Sequence, residues 1–308
     1  MPHVLVADSF LDEERKVSYY DVVLPFFKMA ADGTPIEHVG TCFPIGIGIY
    51  LTAAHNFEGF QKTRGRYKRQ SPEKTAPTME EMVERLEWMK EDKFLEGADV
   101  NCGAIIFDPA AIREGQLKPL GISYVTSVLM TLDFDLAVLL VRDDARRNLD
   151  GERTPIPCLS LIENPHIGQK IAVAGYPGAK NKFKLTEVDG KPKVNFGVSL
   201  VVNEGEITDL YPIMRDVGPA FFPCLQTDID IAPGQSGGPA FCKETLSVVG
   251  INSIGGIGGG LVSWAGKAFD AELLTPIGLT IGGKSLNAGE ATTLRELAEA
   301  GMIQIFNE

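Results

Sequence analysis

The chain has 308 residues, enough for one large domain or two small ones, with 44% hydrophobic and 23% charged residues, an ordinary balance for a globular protein. Asp and Glu outnumber Lys and Arg by 41 to 29 for a net charge of −12, which argues against a nucleic-acid binder with its basic face. No apolar run approaches the roughly 20 residues of a membrane span, so neither nucleic acid nor membrane is expected as a partner.

The N-terminal stretch Met1–Arg15 lacks the basic start and apolar core of a signal peptide, which leads to the expectation of a cytoplasmic protein. The five cysteines, Cys42, Cys102, Cys158, Cys224 and Cys242, are scattered and form no C-x-x-C pair. A disulfide framework needs an even, clustered set, and a zinc site needs close ligand pairs. Buried reduced thiols are therefore expected, with no metal and no cofactor.

In chain order, Tyr19–Lys28 and Ile36–Phe43 read as strands around a turn at residues 31–35. Ile45–Thr52 reads as a third strand whose glycines mark a bend or a close backbone approach, and Ala53-Ala54-His55 ends it. Residues 61–97 differ from their surroundings. A basic run (Lys62, Arg64, Arg66, Lys68, Arg69) precedes Thr78–Glu91, where Thr78 and Glu81 fit a capping box. Met82, Leu86 and Met89 fall at i, i+4 and i+7, so a surface insertion carrying one amphipathic helix is expected, its basic run a solvated loop. Ala104–Phe107, Gly121–Val128 and Leu136–Val141 read as strands, and the charged stretch 143–151 as a linker between halves. Beyond it, Lys170–Pro177, Val194–Val202 and Leu246–Ser253 are β-rich, and Leu294–Ala300 reads as a helix. The sum is all-β with peripheral helices, in two halves of similar size.

Gly234-Gln235-Ser236-Gly237-Gly238-Pro239 cannot be regular helix or strand, because Pro and Gly interrupt both; it is a tight loop that displays its serine. It also satisfies G-x-S-x-G, the nucleophile elbow of α/β-hydrolases. A serine hydroxyl needs a base, and the four histidines, His3, His38, His55 and His166, all precede it. The elbow fold requires its histidine after the serine and a helix where Gly238 and Pro239 stand, so that reading is rejected. The order His, Asp, Ser stays open. His3 lies at the terminus, His38 alternates with apolar residues in a strand, and His166 is in a loop. His55 ends an apolar strand beside two small alanines and is the candidate base. Asp133 and Asp135 share one face of a strand, and spacing alone does not choose between them.

Thr52-Ala53-Ala54-His55 resembles the histidine motif of trypsin-like serine proteases, and Asp135-Leu-Ala-Val-Leu-Leu-Val141 resembles their aspartate segment. Gln226–Pro239 is similar to the serine loop of the Deg (HtrA) branch. The three motifs stand in the family's order and cover the core of both halves, but not the N-terminal residues, the insertion or the tail. The resemblance implies a single chymotrypsin-like domain over 1–308, a double β-barrel with an inserted surface helix and a C-terminal helix. Its first barrel would span about 19–145, its second about 152–284, with 285–308 as helix and tail. It also implies a serine endopeptidase acting on protein or peptide substrate through an acyl-enzyme. Ser236 is then the nucleophile and His55 the proton shuttle. Asp135 is selected over Asp133, because the family's acid directly precedes the Leu-Ala pair. Backbone N–H groups of Gly234 and Ser236 would form the oxyanion hole.

The departures from the family carry expectations too. Gln235 replaces the aspartate that in trypsin pairs with a newly cut N-terminus, so activation of that kind is not expected. Asn56 stands where a cysteine usually follows the histidine, and Cys42 is placed at its partner's position. Asp230 lies six residues before Ser236, the offset of trypsin's specificity aspartate; a buried carboxylate there would favour Arg or Lys before the scissile bond. Asn252 replaces the histidine of glutamyl-specific relatives and disfavours acidic residues. Ser253 to Gly256, including Gly255, is the expected edge strand for substrate backbone. With residues 237–308 after the serine, the PDZ domain usual in the Deg branch is not expected. A cytosolic protease endangers its host unless controlled, so a regulatory protein partner is expected, with residues 61–97 as the candidate element. The rival reading is a binding module on the same fold that no longer cleaves.

Overall fold

The computed structural model describes residues 19–31, 33–57, 94–96, 101–107, 119–142, 157–178, 183–188, 191–196, 199–215, 220, 222–256, 259–274, 279–281, 284–286 and 290–306. The expected helix within 78–91 and the linker 143–151 lie outside them. Strands β1 (Leu24–Met29), β2 (Pro35–Gly46), β3 (Ile49–Thr52), β5 (Cys102–Phe107), β6 (Pro119–Thr131) and β7 (Leu136–Arg142) form a sheet ordered β6-β5-β1-β2-β3-β7. Pairing of β6 with β7 closes it into a barrel, and β4 (Phe94–Glu96) adds to the outside of β6. The second barrel is ordered β14-β9-β12-β13-β16-β15 and closes through β14 and β15. Its strands are β9 (Lys170–Gly175), β12 (Val201–Tyr211), β13 (Cys224–Thr227), β14 (Pro239–Cys242), β15 (Val248–Ile254) and β16 (Leu261–Trp264). β10 (Phe183–Val188) and β11 (Lys191–Phe196) make a separate hairpin. The all-β double barrel matches the expected fold class.

Two barrels packed side by side explain why several strands read as unbroken apolar runs. In β7, Ala137, Leu139 and Val141 point into the first barrel's interior, while Leu136 and Val138 join the core between the barrels. β9 repeats the pattern, with Ile171 and Val173 inside the second barrel and Ala172 and Ala174 facing the first. Period-2 alternation persists, but both faces are dry, so no polar residue marks it.

Three expected boundaries move. Residues 19–22 are a short helix, α1 (Tyr19–Val22), and not the start of a strand. The Val23 N–H closes the turn on the Tyr19 carbonyl, which swings the Tyr19 ring to 5.4 Å from Phe241 of the second barrel. The run 45–52 breaks at Ile47 and Gly48, where Gly48 takes φ 73° and Ile47 is 81% exposed. The run 194–202 crosses from β11 into β12.

The expected C-terminal helix is present as α2 (Leu294–Glu299). Thr293 caps it, its side chain accepting from the Glu296 N–H while Glu296 reaches back to the cap's own N–H. Leu294 and Leu297 are buried, and Arg295 pairs with Glu163 and Asp270. Ile303 then bridges to Gly46 of the first barrel, and β21 (Ile305–Phe306) pairs in parallel with β8 (Leu161–Ile162), an extension of the second sheet. β17 (Leu273–Leu274) pairs with β20 (Ala291–Thr292), and β18 (Leu279–Ile281) with β19 (Lys284–Leu286). Among the described residues, no helix is long and apolar enough to cross a membrane.

Candidate active site

His55 sits in a 3-10 turn (Ala54–Phe57) directly after β3. Ala53 and Ala54 are buried, and Phe57 packs edge-on against Phe26 at 5.7 Å, so the apolar neighbours fix the turn. Asp135 follows a 3-10 turn (Leu132–Phe134) and precedes β7, with a left-handed φ of 46° that an aspartate tolerates better than most residues. Its carboxylate grips His55 twice: Oδ2 lies 2.8 Å from Nδ1, and Oδ1 accepts the His55 backbone N–H at 3.0 Å. The Ser253 hydroxyl donates to the same Oδ2. Burial by itself pushes the Asp135 carboxyl up. The adjoining imidazole and the hydrogen bonds from His55 and Ser253 outweigh it and hold the group below the usual carboxylate range. Asp133, the other candidate acid, is exposed.

Ser236 comes from the second barrel, on the loop between β13 and β14. Its hydroxyl donates to the Ser253 carbonyl at 3.4 Å, so Ser236 and Asp135 are linked through Ser253. The loop is clamped from outside. Thr41 N–H donates to Ser236 O at 2.8 Å, and Thr41 Oγ1 donates to Gly234 O at 2.9 Å. Asn56 Nδ2 donates to Ser236 O at 3.2 Å and to Thr52 Oγ1 at 2.9 Å. Gly234 and Gly237 take φ values of 98° and 86°. A Cβ on Gly234 would lie 2.5 Å from Tyr176 O, so both conformation and space require glycine there.

Gln235 is fully buried and braces its own loop. Its Oε1 accepts the Ala232 N–H at 2.9 Å, and its Nε2 donates to Val201 O at 3.5 Å. Where trypsin uses an ion pair, this chain has an uncharged internal brace. Cys42 is not the neighbour of Asn56. Counting along β2 from the motif misses by two residues: Gly40 faces Asn56, and a Cβ there would lie 2.4 Å from Nδ2. Cys42 instead lies inside the first barrel, where burial and then the nearby Cys102 push its thiol well above the usual range. None of the five cysteines is in a disulfide.

The expected specificity residues divide. Asp230 is exposed, while Ile229 and Ile231 on either side are 4% and 5% exposed, so the structure does not place a carboxylate in a buried pocket. Ile231 is buried with Ile171, Val173 and Val262 in the core of the second barrel. A Cβ on Gly260 would lie 2.5 Å from Ile231 Cγ1, and one on Gly255 only 1.9 Å from Ile231 O. Ser253 and Ile254 run on past the last β14 partner, Ile251 opposite Pro239, which leaves one edge without a strand among the described residues. Gly255 and Gly256 follow in the open. Asn252 is fully buried and bonds to protein carbonyls. Thr41, Thr52, Asn56 and the hydroxyl of Ser253 are site residues that sequence reasoning missed. The signal available was slight: small polar side chains in otherwise apolar strands. Among the described residues, no group of His, Cys, Asp and Glu could hold a metal ion.

Two closed barrels, with histidine and aspartate from the first and a glycine-bound serine from the second, define a trypsin-like peptidase architecture. A family model, the trypsin-like peptidase domain, matches residues 40–251, and the chain belongs to that family of serine protease hydrolases. No match was found among curated protein sequences. Among solved structures, the active form of the Rv3671c protease from M. tuberculosis is 18% identical, with 81% of this chain and 78% of that one covered and a TM-score of 0.45. A serine endoprotease from Yersinia pestis is 17% identical, covering 82% of this chain and 64% of its own, with a TM-score of 0.42. The MamO protease domain from Magnetospirillum magneticum is 14% identical, covering 80% and 92%, with a TM-score of 0.44.

Proposed function

We propose that this chain is a serine endopeptidase with Ser236 as nucleophile, His55 as general base and acid, and Asp135 as the residue that orients His55. The observation that carries it is the double grip of Asp135 on His55. A carboxylate held ionised can only accept, so Nδ1 must carry the ring proton. The neutral imidazole then keeps its lone pair on Nε2, where a serine proton can be taken. Ser236 Oγ turns from the Ser253 carbonyl to Nε2 and attacks the peptide carbonyl, passing its proton to the ring. The ring returns that proton to the leaving amine as the acyl-enzyme forms, and water attacks the ester by the same route in reverse. Labelling with a fluorophosphonate probe tests this: native wild type is expected to react, and Ser236→Ala is not. If wild type stays unlabelled while folded, the non-cleaving binding module becomes the better reading.

The same reading assigns the residue before the scissile bond. An exposed Asp230, and Ile231 against Gly255 and Gly260, favour a small apolar side chain over Arg or Lys. A long cation would enter without a partner for its charge. In a peptide-library profile, Asp230→Ala is expected to leave the preference unchanged, and Ile231→Ala to admit larger apolar residues. Selection for Arg or Lys that disappears in Asp230→Ala would restore the basic pocket. Residence in the cytoplasm and control by a protein partner belong to the proposal as well; five cysteines outside any disulfide suit a reducing compartment.

A further inference from the structure

We propose that Asn252 is the positioning residue of the oxyanion hole, acting through the Gln235 carbonyl; the inference rests on the serine-protease reading of the site. A trans peptide unit is planar, with its C=O and N–H pointing in opposite directions. Whatever holds the carbonyl of one residue therefore aims the N–H of the next. The Gly234 N–H belongs to the peptide whose oxygen, on Pro233, accepts from Gly178 N–H at 3.0 Å. The Ser236 N–H belongs to the peptide whose oxygen, on Gln235, accepts from Gly238 N–H at 3.0 Å and from Asn252 Nδ2 at 3.3 Å. Among the described residues, neither the Gly234 nor the Ser236 N–H has an acceptor of its own. Both are held from behind and left open in front, as donors for a developing oxyanion must be.

Asn252 is suited to this and to little else. Its Nδ2 also donates to Ala174 O at 2.9 Å, so two carbonyls face one end of the amide. Reversing the amide would set oxygen against two oxygens, and its orientation is thereby determined. The Oδ1 atom is then buried with no hydrogen-bond partner among the described residues. An orphaned acceptor is costly in a barrel interior, where Asn252 sits opposite Val262. A leucine would avoid that cost but supply no donor. The amide is retained for its two N–H groups, one of which reaches the peptide behind Ser236. Its backbone adds to the hold: Asn252 N–H donates to Gly238 O, and Asn252 O accepts from Gly237 N–H, each at 2.8 Å.

Asn252→Asp is the discriminating variant, with Asn252→Leu beside it. The aspartate matches the shape but, when ionised, presents only acceptors to the Ala174 and Gln235 carbonyls, neither of which titrates. When protonated, it can donate one O–H again. At pH 8, kcat is expected to fall about 10²-fold with KM changed less than threefold, the loss typical of one oxyanion donor. Affinity for a peptide trifluoromethyl ketone, whose hemiketal oxygen occupies the hole, is expected to weaken in parallel. The ratio of variant to wild-type kcat, normalised to the folded fraction from near-UV circular dichroism, is expected to rise as pH falls through the new carboxyl's titration. Taking the ratio removes the titration of His55. Asn252→Leu is expected to show the low kcat without any rise. A pH-independent ratio in Asn252→Asp, or a loss confined to KM, overturns the proposal. If wild type itself neither cleaves peptide nor takes up a fluorophosphonate, the serine-protease reading has failed instead.

Discussion

Asp135→Asn is expected to lower kcat by about 10⁴-fold while KM changes little. The wild-type carboxylate offers acceptors to three donors at once: the ring Nδ1–H, the backbone N–H of His55 and the hydroxyl of Ser253. An asparagine must turn its NH2 group toward one side. If that group faces Nδ1, the ring must present its lone pair there and carry its proton on Nε2, where Ser236 needs a base. If it faces the backbone N–H of His55, two donors meet and the turn that carries the ring is pushed away. Either arrangement costs the reaction more than it costs ground-state binding, so the loss falls on kcat. A variant within tenfold of wild-type kcat would remove Asp135 from the mechanism.

The same substitution has a stability consequence whose sign is set by the depressed carboxyl. A group whose folded-state pKa lies below its unfolded value stabilises the fold above the unfolded pKa, about 4 for an aspartate, and loses that contribution as pH falls through the folded value. Wild type is therefore expected to exceed Asp135→Asn in urea midpoint near pH 7, with the gap narrowing below about pH 4. Midpoints measured from pH 7 down to pH 3 check this, and a constant gap contradicts it.

Gly237→Ala is expected to destabilise the protein by about 3 kcal/mol or more and to lower kcat with it. Gly237 has φ 86°, and an added Cβ would lie 2.1 Å from Thr52 Oγ1, 2.2 Å from Thr41 O and 2.7 Å from Asn56 Nδ2. None of these atoms can withdraw cheaply. Thr52 Oγ1 donates to Thr41 O at 2.7 Å, and Asn56 Nδ2 donates to Thr52 Oγ1 and to Ser236 O. The serine loop must move off the first barrel instead, breaking the bonds from Thr41 N–H and Asn56 to Ser236 O. Gly168→Ala isolates the backbone cost, since Gly168 has φ 83° but nothing within 4 Å of its Cβ position. About 1 kcal/mol is expected there. Equal losses in the two variants, from denaturant melts, would mean that close packing against the first barrel is not what Gly237 serves.

These two glycines illustrate how far sequence reading reaches. A glycine-rich serine loop announces its own shape, because Gly and Pro restrict what the backbone can be. The absence of any histidine after Ser236 removes one enzyme fold by order alone. His55 and Asp135 are recognisable because each sits at the end of a short apolar strand in a local motif. The capped helix at Leu294–Glu299 is equally local, since a capping box is decided within four residues.

Other features depend on residues far apart in the chain. Asn56 meets Ser236, and Thr41 meets Gly234, only because two barrels pack against each other. An offset of six residues sets how far Asp230 lies from Ser236 along the chain, but not the direction its side chain takes. Two buried isoleucines on either side turn Asp230 outward, because burying them is favourable and burying an unpaired carboxylate is not. Counting put Cys42 beside Asn56; the strand's longitudinal position against the His55 turn, a matter of packing, put Gly40 there. By itself the sequence determined the fold class and the serine loop, since patterning and Gly-Pro chemistry act over a few residues. Only the tertiary structure decided what holds that loop and which way Asp230 turns, because those contacts arise where separate strands come to rest against one another.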